Sequence, residues 1–335
     1  MSLRAKRNKL PSLAPSLWPR LLCRAGALIA MTLAVSPAFA DDAIKLAVGA
    51  RGHWETAAAE LGQKAGFFKR RGVALEILYT QGSGETQQAV ISGSVGIGVG
   101  LGTTSVMAAF QKGAPLTVIG NASTGSSEFW YVRADSPVHS MKDATGKTIA
   151  YSTAGSSGNM EVLAFVKEYG IDARPVATGD TAATFTQVMS GQIDIGWSSP
   201  PFGIAAAQDG KIRIIGYGND LPHFRDQTIR LIVANGPWLA SHRDLAARFI
   251  QAYRDTLAWM YGDPAGLAAY AEFSGASAAI ARQVRDRFYP EDGMRVDRIS
   301  GLDAVMADGV AARYLAAPLS KQELDRLFQV PAPVK

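Results

Sequence analysis

A nine-residue phrase occurs twice in this chain, and its repetition constrains the fold more than any other feature. Val90-Ile91-Ser92-Gly93-Ser94-Val95-Gly96-Ile97-Gly98 returns 98 positions later as Val188-Met189-Ser190-Gly191-Gln192-Ile193-Asp194-Ile195-Gly196. Each copy reads as a helix end, a Ser-Gly stop and the start of an apolar strand. Each follows a polar loop at a helix start, Gly82 to Thr86 in one case and Gly179-Asp180-Thr181 in the other. A helix–Gly–strand step alone is common in α/β proteins. Two copies of a whole supersecondary unit point instead to two lobes built alike.

The surrounding pattern agrees. Ile44–Val48 is a strand candidate, a helix runs through Ala57, Leu61 and Ala65 to Gly66, and Val73–Tyr79 and Val95–Val99 are further strands. Strands alternating with helices imply an α/β fold with a parallel sheet. Phe129–Arg133 is long enough to cross between lobes, and Thr228–Ala234 is a strand that can return. Two crossings make the first lobe discontinuous: 41–129 plus 235–335 for lobe I, and 130–234 for lobe II. From Ser241 the chain reads as helical, with Ser241-x-x-Asp244 as a capping pair and Leu245, Phe249, Tyr253, Leu257 and Met260 near one face. Pro264 suits a first helical turn, and Ser320-x-x-Glu323 caps a last helix.

Residues 1–40 follow a different logic. Arg4, Lys6, Arg7, Lys9, Arg20 and Arg24 precede an uncharged run, Ala25–Val35, that ends at Pro37-Ala38-Phe39-Ala40. This is the pattern of a signal peptide cleaved after Ala40. The apolar run is too short for a membrane core that needs about 20 residues. Cys23 precedes it and lacks the setting of a lipid anchor, so a mature periplasmic protein is expected. Without the leader the chain carries 28 basic against 29 acidic residues, which leaves no electrostatic footprint for nucleic acid or anionic lipid. The only cysteine leaves with the leader, and a disulfide, zinc-thiolate site or cysteine nucleophile leaves with it.

Catalytic signatures are missing: there is no HExxH, GxxxxGK[ST] or GxSxG, and His53, His139, His223 and His242 show no metal-like spacing. Gly96, Gly98, Gly100 and Gly102 have the wrong spacing for a dinucleotide loop and read as close backbone packing. No cofactor or metal is expected. The chain does offer hydroxyl- and glycine-rich loops at helix starts, where free N–H groups and a partial positive charge suit an acceptor. They are Gly82-Ser83-Gly84, Gly102-Thr103-Thr104, Thr153-Ala154-Gly155-Ser156-Ser157 and Trp197-Ser198-Ser199. Simple helix capping is the alternative for any one of them. Arg51, His53 and Trp54 share the first strand-to-helix loop, where a cation and a ring can meet a flat or anionic solute; a solvated Arg and a core-edge Trp are the alternative. Glu128 can bind a ligand amine, with a cap or salt bridge as the competing role.

Five phrases carry a resemblance: AGFFKRRGVALEI at 65–77, GSGETQQAVISG at 82–93, GTTSVMAAFQKGAP at 102–115, VRADSPVHSMKDATGKTIA at 132–150 and MSGQIDIGW at 189–197. Together they resemble the periplasmic substrate-binding proteins of nitrate/sulfonate/taurine ABC importers. The resemblance implies a two-lobed, type II-like periplasmic-binding-protein fold with two crossing hinge strands. It also implies a monomer that closes on a small organic, sulfonate- or carboxylate-like solute and delivers it to a permease and its ATPase at the inner membrane. One departure is plain: Trp197-Ser198-Ser199-Pro200-Pro201-Phe202 stands where relatives carry a Trp-Glu-Pro-Phe-like segment. A pyrimidine-synthase-related enzyme of the same fold and a receptor for a membrane signalling protein are the alternative functions.

Overall fold

The computed structural model describes residues 42–332; the expected leader and its cleavage after Ala40 lie outside the described residues. The first half contains β1 (Asp42–Gly49), α1 (Trp54–Lys64), β2 (Val73–Thr80), α2 (Ser83–Ile91), β3 (Ile97–Gly102), α3 (Thr103–Gln111) and β4 (Leu116–Thr124). Then follow β5 (Phe129–Arg133), β6 (Thr148–Tyr151), α4 (Ser157–Tyr169), β7 (Arg174–Ala177), α5 (Thr181–Met189), β8 (Gly196–Ser198), α6 (Ile204–Gln208) and β9 (Ile212–Tyr217). The chain closes with β10 (Thr228–Asn235), α7 (Gly236–Ser241), α8 (Arg243–Gly262), α9 (Pro264–Ser274), α10 (Ala278–Gln283), α11 (Leu302–Ala311) and α12 (Lys321–Leu327).

Five strands form one sheet in the order β2-β1-β3-β10-β4, parallel among the first three and antiparallel on both sides of β10. A second group holds the antiparallel sheet β8-β5-β9 and the parallel pair β6-β7, linked by a bridge between Ile149 and Ile195. The sheets are therefore mixed rather than wholly parallel. Strand β1 shows why the first one is buried on both faces: Ile44, Leu46 and Val48 join one hydrophobic cluster, whereas Ala47 joins a second with Val90, Leu101, Val118 and Val233.

The repeated phrase folds the same way twice. Val90 ends α2 against Gly98, and Val188 ends α5 against Gly196; a Cβ on either glycine would stand 2.7 Å from that valine's Cγ2. The glycines let helix and strand touch. The likeness extends to hydroxyls: Thr80 and Thr86 share a hydrogen bond of 2.6 Å, and Thr178 and Thr184, each 98 positions on, share another of 2.6 Å.

Two segments connect the sheets, 125–128 outward and 218–227 on return. They lie side by side. Gly125 N donates to Gln227 O at 2.9 Å, Ser126 N to Asn219 Oδ1 at 2.9 Å, and Gly218 N to Glu128 O at 2.9 Å. Phe129–Arg133 is thus the central strand of the second sheet, where Trp130 packs edge-on against Phe165. Strand β10 is a correction to the expected boundary at residue 234. It pairs with β3 and β4, so the second group ends near Gln227. A second correction concerns Ser241-x-x-Asp244: His242 stands at the N-cap of α8 with no side-chain cap, and Asp244 instead binds Arg248 at 2.8 Å. Pro264 does open α9, and Ser320 and Glu323 form the reciprocal capping box of α12.

Candidate functional site

Where the crossing segments meet both sheets, ionisable side chains gather out of water. Arg230 comes from the middle of β10, Glu55 and His53 from the start of α1, Glu128 from the outward segment and Glu161 from α4. Glu55, Glu128, Glu161 and His53 are all buried. Arg230 Nη2 donates to Glu128 Oε1, which also accepts from Ser157 Oγ at 2.8 Å. Glu55 Oε1 lies 3.5 Å from Arg230 Nε and 3.6 Å from His53 Nδ1. Ser126 Oγ donates to Glu161 Oε2 at 2.9 Å and accepts from Glu128 N at 3.1 Å. Beside them Tyr289 OH accepts from Ser127 Oγ at 2.8 Å and shares a 3.1 Å hydrogen bond with Ser199 Oγ.

The helix ends help hold these charges. Glu128 faces the first turn of α4, whose free N–H groups and dipole favour a carboxylate. Glu55 sits in the first turn of α1 for the same reason. Burial pushes the Glu55 carboxyl up, but His53 and Arg230 outweigh burial and hold it down at about 2. Glu161 goes the other way: burial, with the Glu128 carboxylate beside it, pushes its carboxyl well above the usual range. Two glutamates of one cluster are thus shifted in opposite directions by their surroundings.

The loops expected at the site meet face to face around this cluster. A Cβ on Gly84 would stand 3.3 Å from Thr153 Oγ1, and one on Gly102 would stand 3.2 Å from Gly155 O and 3.3 Å from the Ser156 Cα. Tyr314 OH donates to Asn159 Oδ1 at 2.6 Å across the same seam. Within the loops, Gly82 is the N-cap of α2 and accepts from Thr86 Oγ1 at 3.0 Å, Ser83 Oγ accepts from Gly102 N at 2.7 Å, and Thr103 Oγ1 donates to Thr228 O at 2.6 Å. Ser156 caps α4 by accepting from Asn159 N at 3.2 Å. Thr153 Oγ1 is buried without a partner. Thr104 and Ser157 line a cavity of about 10 Å³ behind the seam, about one water's worth of space.

Other expected residues lie elsewhere. Arg51 is half-exposed and turned toward α9, its guanidinium 4.4 Å over the Phe273 ring and 3.6 Å from Glu60. It borders a groove of about 680 Å³ with Lys64, Trp259 and Phe273, away from Arg230. Trp54 is fully buried, donates to Tyr261 OH at 2.8 Å and packs edge-on against Tyr270, so it belongs to the core. Trp197 is buried in the second sheet, donating to Thr178 Oγ1 at 3.2 Å, and Ser198 donates to Phe202 O at 3.0 Å. Of the first loop only His53 joins the cluster, with its ring edge on Phe202. Ser199 comes from the expected Trp197-Ser198-Ser199 loop, whereas the cluster's Glu55, Glu161, Arg230 and Tyr289 were not singled out from sequence, and Glu128 takes the salt-bridge role. Arg230 carried a signal: a cation inside the apolar run Thr228–Asn235 must be paired. Among the described residues no group of His, Cys, Asp and Glu has metal-holding geometry.

The family model described as NMT1/THI5 like matches residues 55–266. No curated protein matches the chain in sequence. Among solved structures it is similar to the alkanesulfonate-binding protein SsuA from Xanthomonas axonopodis pv. citri bound to MOPS, with 18% identity, a TM-score of 0.72 and coverage of 86% of this chain and 98% of that one. The periplasmic aliphatic sulphonate binding protein SsuA from Escherichia coli gives 18% identity and a TM-score of 0.67 over 88% and 94% of the two chains. The periplasmic nitrate-binding protein NrtA from Synechocystis PCC 6803 gives 13% and 0.67 over 86% of each. The likeness establishes a mixed α/β, periplasmic-binding-protein fold.

Proposed function

Because the chain belongs to the NMT1/THI5-like family, we propose that it is the extracytoplasmic solute-binding receptor of an ABC importer. It closes on a small organic solute between its two sheets and hands that solute to an inner-membrane permease driven by an ATPase. In this reading residues 1–40 direct export to the periplasm. The first lobe takes 41–129 and the strand β10 with all that follows, and the second takes 130 to about 227. The receptor acts as a monomer without a cofactor.

One observation supports this most. A buried polar cluster, fed by both sheets and both crossing segments, lies under loops that touch across a seam. Ligand crevices in α/β proteins lie where helix starts converge, and two connecting segments suit hinge closure. The solved structures named above are those of two sulfonate-binding proteins and one nitrate-binding protein. A sulfonate- or carboxylate-like solute, as the loop sequences suggest, needs an unpaired cation. Arg51 faces α9, and Arg230 already has Glu128 and Glu55 beside it.

The test is direct. Native mass spectrometry of protein isolated from periplasm should find a chain starting at Asp41 with a small molecule bound. Small-angle scattering with that compound should give a smaller radius of gyration than the stripped protein. An unchanged radius at saturation would remove the hinged-receptor reading, and turnover of the compound would replace it with an enzyme.

A further inference from the structure

The charged cluster is rich in acceptors. Glu55 and Glu161 are each 0% exposed, Glu128 1% and His53 2%. Four of their carboxyl oxygens, both of Glu55, Oε2 of Glu128 and Oε1 of Glu161, are buried without a hydrogen bond, although Glu55 Oε1 keeps ion-pair contacts with Arg230 Nε at 3.5 Å and His53 Nδ1 at 3.6 Å. Against them stand two unbonded nitrogens, Arg230 Nε and His53 Nε2. An ionised carboxylate can only accept, and an acceptor buried without a donor is costly. What would satisfy this cluster brings N–H donors and positive charge.

The place for an anion is already taken. The first turn of α4 holds the Glu128 carboxylate: Ser157 Oγ bonds its Oε1, and Gly158 lies so close to its Oε2 that no Cβ fits between. The Arg230 guanidinium is paired with that same oxygen and flanked by Glu55. A sulfonate or nitrate entering here would meet three carboxyl groups around a cation already in use, and like charges at close range are strongly disfavoured where water is excluded.

From this geometry, and building on the receptor reading above, we infer that the solute presents an organic cation, a protonated amine or amidinium, to Glu55 and Glu128, with the Glu161 carboxyl beside them. Arg230 then serves as the fixed counter-charge that keeps the carboxylates together in the empty receptor, and Glu128 is the residue that rejects anions.

The experiment uses the mature chain, unfolded and refolded to strip any carried solute. Its melting temperature is measured with methylammonium, ethanolamine, acetamidinium, guanidinium and agmatine, and with methanesulfonate, MOPS and nitrate, all at matched ionic strength. At least one cation should raise the melting temperature by several degrees at about 100 times its Kd, and none of the anions should. Glu128→Gln should weaken the effective cation at least tenfold. The wild-type panel decides the matter even where that variant folds poorly. Stabilisation by MOPS, methanesulfonate or nitrate with all cations inert overturns the inference and leaves the receptor standing. Inertness of both classes overturns the inference and the receptor reading together.

Discussion

Ser157 Oγ stands 2.8 Å from Glu128 Oε1, so the helix of the second sheet grips a carboxylate supplied by the crossing segment. A hydrogen bond to a charged group is worth about 1.5–3 kcal/mol. Ser157→Ala should therefore lower the melting temperature by about 5 °C, at about 2–4 °C per kcal/mol. Calorimetry checks this, and an unchanged melting point would show that Arg230 alone holds Glu128.

Arg230→Met tests the same cluster from the other sheet. It leaves Glu55 and Glu128 buried without their cation, a change that costs about 3–5 kcal/mol when one partner of a buried pair is removed. The expected fall is about 10 °C. A variant melting within about 2 °C of wild type would mean that the carboxylates simply take up protons at little cost.

The two perturbed glutamates give opposite pH signs. Glu55 is held at about 2 in the folded chain and sits at the ordinary glutamate value of 4.5 unfolded, so its contribution is present above pH 4.5 and is lost as pH falls toward 2. Glu55→Gln should cost on the order of 3 kcal/mol at pH 7, and the gap to wild type should close toward pH 2. Glu161 has its folded value raised, so its contribution is complete below pH 4.5 and fades as pH rises through the folded value. Glu161→Gln should thus gain on wild type as pH rises from 4.5. Urea melts at several pH values read both; parallel profiles for the two variants would refute the assignment.

Closure is testable by covalent capture. A Cβ on Gly84 would lie 3.5 Å from that of Thr153, within the span of about 3.5–4.5 Å found in disulfides. Cys23, the only cysteine, is left out by producing the chain from Asp41 onward. Gly84→Cys with Thr153→Cys should oxidise to a species 2 Da lighter, by the two hydrogens lost on disulfide formation, and it should no longer take up or release solute. Free thiols persisting after mild oxidation would show that the seam is rarely shut.

Helix–strand contact sets the cost of the repeated glycines. Gly98→Ala and Gly196→Ala each push a methyl toward a valine 2.7 Å away and should destabilise by about 1–3 kcal/mol. Gly262, at the end of α8, has nothing within 4 Å of its added Cβ, so Gly262→Ala should stabilise by about 0.4–1 kcal/mol. Denaturant midpoints compare the three, and equal signs would contradict the packing argument.

The repeat was legible because a Ser-Gly helix stop and a glycine in the following strand are local signals, and both copies fold as their neighbours dictate. The face-to-face loops were legible as helix starts. The cluster was not, because Glu55, Glu128 and Glu161 are distant in sequence and each alone reads as a capping or surface acid; only the pairing of β10 with β3 and β4 carries Arg230 among them. Arg51 and His53 share one loop but turn different ways, a matter of backbone conformation at Gly52 that residue types alone do not fix: His53 faces Glu55 and Arg51 faces Phe273. Pairing of β10 was missed because an apolar strand fits either sheet, and partner choice is a tertiary matter.

If the receptor closes as proposed above, the two bonded crossing segments also decide the direction in which it does so. A gate on a single strap can swivel in any direction, whereas one hung from two adjacent straps swings only about the line through both. With Gly125 tied to Gln227, Ser126 to Asn219 and Glu128 to Gly218, that line runs past Glu128 itself. In the receptor proposed above, the axis of closure then lies beside Arg230, Glu128 and Ser157, whose hydrogen bonds span it.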